Sequence, residues 1–144
     1  MTLRTFALLA GILYLAMGVL GFVPAVMSPP PENAPAMGIS AFYGYLFGLF
    51  PVNYMDNLMH LAIGAWGIAA ARAVGGARAY TRTLVVIFGA LAVLGSFPQT
   101  QTLFGLVPLH GYDVWLHAGT ALLALFFGWV IAGSRVERSM FAGS

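Results

Sequence analysis

The chain has 144 residues, of which 60% are hydrophobic and only 7% charged, with a net charge of +2. An ordinary soluble domain carries roughly 25% charged residues, so this composition excludes a small water-soluble protein and predicts one integral membrane domain over residues 1–144. Six arginines without a lysine make no basic stripe, which argues against a nucleic-acid partner, and the lack of cysteine removes disulfides, thiolate ligands and thiol redox chemistry.

A helix needs about 20 apolar residues to cross the hydrocarbon core, and four segments qualify as expected spans. The first, Thr5 to Met27, is continuous. Its apolar stretch exceeds the roughly 7 to 15 residues of a signal-peptide core, so a mature span is the preferred reading. The insert SPPPENAPAMG, in the proline-rich loop 28–38, predicts an extended surface loop. An aromatic run follows, with Phe42, Tyr43, Tyr45 and Phe47 crowding the LFGLFP stretch. It predicts a short helix or re-entrant turn at the membrane surface, or a plain aromatic anchor. The second span, Tyr54 to Ala71, is interrupted by Asp56, Asn57 and His60 near its start. Arg72, Arg78 and Arg82 fill the expected short loop before the third span, Thr83 to Phe97, and the fourth span, Tyr112 to Ala132, carries Asp113 and His117 near its start.

The arginines set the orientation. Arg4 precedes span one, three more lie between spans two and three, and Arg135 and Arg138 follow span four. All six fall on one side, which the positive-inside rule assigns to the cytoplasm, with both termini there.

The chain also repeats itself. LFGLFPVNYMDNLMH, residues 46–60, aligns without a gap on LFGLVPLHGYDVWLH, residues 103–117, matching Asp56 to Asp113 and His60 to His117. Arg4-Thr5 recurs as Arg82-Thr83, and Gly11 corresponds to Gly89. The expected architecture is therefore all-α: a four-transmembrane-helix bundle of two parallel two-helix repeats, about residues 4–72 and 82–132.

Residues four apart share a helix face. On span two that face reads Asp56, His60, Gly64, Gly67 and Ala71; on span four it reads Asp113, His117, Ala121, Ala124 and Gly128. Leu58, Leu61 and Trp66, or Trp115, Leu116 and Phe127, are expected on other faces. Small residues mark close helix approach, so the acids and imidazoles should point inward, near the outer side. Asn53 is the expected N-cap of span two, with Asp56 three residues on as in a capping box. His110, aligned with Asn53, is expected to be a surface or cap residue.

Four uses of Asp56, His60, Asp113 and His117 stand open at this point. They hold and cap helices; or they bind a divalent metal as four N/O ligands; or His60 and His117 hold a haem; or the set carries protons or a solute. Phosphate-loop and nucleophile-elbow motifs are missing, which favours a non-enzymatic structural or accessory subunit over a metal- or redox-cofactor-binding protein. Its expected partners are the lipid bilayer and a larger complex or a second copy.

The stretches PLHGYDVWLHAGTALLALFFG and NYMDNLMHLAIGAWG resemble the bacterial membrane family called domain of unknown function 4383, over roughly residues 4–132. That resemblance implies a small four-span protein of the bacterial cytoplasmic membrane, similar in layout to DoxX-like proteins, and implies no activity.

Overall fold

The computed structural model describes residues 1–131; the expected end of span four at Ala132, and Arg135 and Arg138, lie outside them. The chain is mostly helical. Helix α1 runs Leu3–Leu20, α2 Tyr54–Ala70, α3 Val74–Gly95, and α4 Tyr112–Leu125, which continues as a π-helical turn over Phe126–Ile131. Among the described residues, three helical stretches, Leu3–Leu20, Val74–Gly95 and Tyr112–Ile131, are long and apolar enough to cross a membrane.

Helix α1 starts where the Thr2 hydroxyl accepts a hydrogen bond from the Thr5 amide at 3.1 Å, a capping arrangement. It stops about two turns before the expected Met27, because Pro24 has no N–H to extend the helix. Pro24–Val26 form a 3₁₀ turn, and Met27 and Ser28 become strand β1. Helix α3, in contrast, begins earlier than expected. Arg78 and Arg82 belong to it, and the connection from α2 shrinks to residues 71–73. This region is rich in alanine, and alanine gives up no side-chain entropy in a helix.

Helices α1 and α2 pack antiparallel through glycines. A Cβ on Gly11 would meet the Ile68 amide nitrogen at 2.7 Å, and one on Gly18 would meet the Asn57 carbonyl at 2.8 Å. No side chain fits there, so the backbones themselves are in contact, as membrane helix pairs favour. Helices α3 and α4 also run antiparallel, with Phe88 against His117 and Gly128 near Thr81. The first residues of α1 meet the end of α2 through a hydrogen bond from Arg4 Nε to the Ala71 carbonyl at 2.7 Å. The Arg82 guanidinium lies 4.8 Å from the Trp129 ring centre. These contacts bring Arg4, Arg72, Arg78 and Arg82 to one end of the bundle.

The opposite end carries an outer layer. Strand β1 (Met27–Ser28) pairs antiparallel with β2 (Gly44–Leu46), and β2 with β3 (Phe50–Val52), with Leu46 opposite Phe50. The expected short helix or re-entrant turn is therefore a β-hairpin. Its bend uses Phe47 at φ 54° and Gly48 at φ 70°, left-handed backbone that a helix cannot contain. In the second LFG stretch Phe104 and Gly105 have φ 59° and 85°, and Leu106 N donates to Leu103 O as Leu49 N does to Leu46 O. Only the first copy has a neighbouring strand, and the second remains a series of turns.

The interior is lined by Phe6, Ala7, Tyr14, Tyr80, Leu84, Phe88 and Ala124, while Leu9, Ile12, Val86 and Leu122 are at least half exposed. Leu58, Trp66 and Trp115 are exposed, as the face assignment expects, but Phe127 is buried and stacks on Phe6 at 4.9 Å. Ordinary helical spacing accounts for this departure: Phe127 lies three residues and Gly128 four residues after buried Ala124, so both belong to the inward stripe.

Candidate functional site

Asp56, His60, Asp113 and His117 are buried at 4%, 2%, 2% and 1% exposure. Each lies in the first two turns of α2 or α4, at the end of the bundle capped by the hairpin layer. The helical spacing puts His60 Nδ1 at 3.3 Å from Asp56 Oδ2, and His117 Nε2 at 3.5 Å from Asp113 Oδ2. The two histidines thus present different ring nitrogens to equivalent acids. Neither contact has the alignment of a hydrogen bond: His60 Nδ1, Asp113 Oδ2 and His117 Nδ1 have no hydrogen-bond partner.

A chain of aromatic rings connects the two pairs. Between them stand two residues the motif did not indicate. The Tyr14 ring packs on His60 at 5.4 Å and stacks on Phe88 at 4.8 Å, and Phe88 packs on His117 at 5.1 Å. The Tyr14 hydroxyl forms a 2.6 Å hydrogen bond with Thr120, linking α1 to α4. One sequence signal for Tyr14 exists, since it lies on the same face of α1 as Gly11, Gly18 and Gly21. A tyrosine there brings a polar handle into an apolar core.

Asn53 is fully buried and does more than cap. Its Oδ1 accepts from the Asp56 amide at 2.9 Å, while Nδ2 donates to Ile39 O at 3.0 Å and Leu106 O at 2.8 Å. The cap matches expectation; the bridge to the second LFG turn could not be read locally. Asn57 is also fully buried but turns away from the acids, toward Gly21 of the α1 terminus, and its amide has no partner. His110 is neither a surface nor a cap residue. It is 8% exposed, its ring centre lies 6.1 Å from that of Tyr45, and Gly111 occupies the N-cap position of α4. Burial holds its imidazole below the ordinary value of 6.5, and burial likewise pushes the Tyr43 hydroxyl up to about 12. Both outer-loop groups are therefore neutral at physiological pH.

Among the described residues, no three histidine, aspartate or glutamate side chains come together to hold a metal ion. The two pairs approach each other without closing into a shared ligand set.

The model of one family, Domain of unknown function (DUF4383), matches residues 4–130. The chain belongs to that family. The match takes in all four helices, the hairpin layer and both Asp–His pairs. No curated protein and no solved structure matches the chain, so the chemistry has to be read from the side chains themselves.

Proposed function

We propose that the protein is a non-enzymatic accessory subunit of the bacterial cytoplasmic membrane, with four spans, two parallel repeats and both termini in the cytoplasm. The observation that carries this reading is the reversed distribution of polarity: large apolar side chains cover the helix exteriors while four ionisable side chains are buried inside. In lipid, ionisable groups avoid the acyl chains because exposure costs about 2.5–3.5 kcal/mol on insertion scales. Helix α2, at 17 residues, is the fourth span; about 17 residues is the lower limit for crossing. The orientation rests on the arginines, which mark the cytoplasmic end. The repeat rests on the matched Asp-x-x-x-His and LFG segments.

Within this module, the two halves are joined by the Tyr14–Thr120 and Asn53–Leu106 hydrogen bonds. The Asp–His contacts lie within single helices and do not bridge the halves. Gentle extraction from native bacterial membranes, followed by identification of copurifying proteins, tests the accessory role. Recovery of a stoichiometric membrane partner supports it; a chain that is always recovered alone overturns it.

A further inference from the structure

Two buried acids and two buried histidines still need a charge state. Among the described residues no arginine forms an ion pair with Asp56 or Asp113; each acid's close partner is the histidine one turn away. With both carboxylates ionised and both imidazoles neutral, the interior would hold two uncompensated negative charges. A low-dielectric interior strongly disfavours that state. One proton on each Asp–His pair makes each pair neutral, whichever atom carries it.

The hydrogen-bonding pattern points the same way. His60 Nδ1, His117 Nδ1 and Asp113 Oδ2 are buried and have no hydrogen-bond partner, so these positions are free to gain or release a proton. A purely structural pair would be expected to have its buried polar atoms satisfied. The other titratable side chain packed on the site is Tyr14 from α1; Tyr80 from α3 packs instead against Trp66 and Gly67, and His110 against Tyr45, and none of the three supplies a compensating positive charge at neutral pH. The Arg4, Arg72, Arg78 and Arg82 group stands at the far end of the bundle.

The surroundings close the site on both sides. Toward the arginine end, the Tyr14–Phe88 stack packs under both imidazoles, and Tyr14 is pinned to Thr120. Toward the other end, Leu46, Val52, Val107 and Leu109 are almost fully buried in the outer layer, and Asn53 ties that layer to the top of α2. The outer closure is made of short strands and turns, and the inner one of packed helix side chains. Turns open at lower cost than helix cores.

We propose that Asp56, His60, Asp113 and His117 form an occluded proton-binding site that holds one proton per Asp–His pair and exchanges it with the hairpin end of the protein. The proton comes from water on that side and returns to it, and only an O–H or N–H bond forms or breaks. The site rests on the membrane reading above but not on the accessory role. A protein recovered without a partner can still hold these protons, and a partnered one can lack them.

The test uses the full chain in lipid nanodiscs at pH 7. Infrared spectra read the protonated-carboxyl band, and nitrogen NMR of labelled histidine reads imidazolium. The expected result is one proton on each pair, seen as a protonated carboxyl or an imidazolium, with the signal lost in the Asp56→Asn/Asp113→Asn double variant. Deuterium exchange at the site should be slow, and Asn53→Ala, which frees the outer layer, should speed it several-fold. Two ionised carboxyls beside two neutral imidazoles in the wild-type chain would overturn the proposal, and so would exchange unaffected by Asn53→Ala. If the double variant does not fold, the wild-type spectra decide alone.

Discussion

At the scale of single residues, Asn53 carries an unusual share of the structure. One amide caps α2, binds the 39 carbonyl and reaches across to the second LFG turn. Losing a cap costs about 1 kcal/mol, and each of the two hydrogen bonds to the part-buried 39 and 106 carbonyls is worth about 0.5–1.5 kcal/mol net. Asn53→Ala is therefore expected to lower stability by about 2–4 kcal/mol, read by denaturant titration in detergent. Tyr14→Phe should cost about 1 kcal/mol, because it removes one hydrogen bond to Thr120 and keeps the ring contacts. His110 gives a pH signature. Its folded-state pKa lies below 6.5, so the folded chain binds fewer protons than the unfolded one between those two values. The stability that neutral His110 provides is complete above pH 6.5 and is lost as pH falls toward the folded value. His110→Gln should flatten that acid-side loss in a series of melting curves.

At the scale of elements, the α1–α2 hairpin depends on having no side chains at its crossing. A Cβ on Gly67 would meet the Gly11 Cα at 2.7 Å, so Gly67→Val must push the helices apart. Overpacking of this kind costs typically about 1–3 kcal/mol, and the expected readout is a lower melting temperature with helix content retained. Helix pairing was legible in the sequence because small residues recur at helical spacing. The hairpin layer was not. LFGLFP is apolar, aromatic and short, and its bend places a phenylalanine in left-handed backbone, a choice no local propensity favours. The strand pairing of β2 with β1 comes from across the proline-rich loop. Phe127 was assigned to the wrong face for a different reason: the face was followed in steps of four only, and the i+3 neighbour of Ala124 belongs to it as well.

At the scale of the whole molecule, polarity is sorted along the described bundle: Arg4, Arg72, Arg78 and Arg82 at one end, buried Asp–His pairs toward the other, apolar side chains around the outside. That sorting yields a topology prediction. Because the chain contains no cysteine, single cysteines can be introduced cleanly at Glu32 and Gly75. In intact cells a membrane-impermeant thiol reagent should label the variant at 32 and spare the one at 75 until the membrane is opened. The reverse pattern would invert the orientation, and labelling of both would remove a span between them.

The sequence by itself determined the class of protein, the helices and the inward face of the two acid–imidazole pairs. Each of these depends on composition or on spacing within one helix, which a linear pattern records. Only the tertiary structure decided what surrounds the pairs: the Tyr14–Phe88 stack beneath them, the Asn53 bridge above them and the burial of His110. Those contacts join residues far apart in the chain, and whether distant side chains meet depends on how the helices cross and how the loops fold back. No local pattern carries that information.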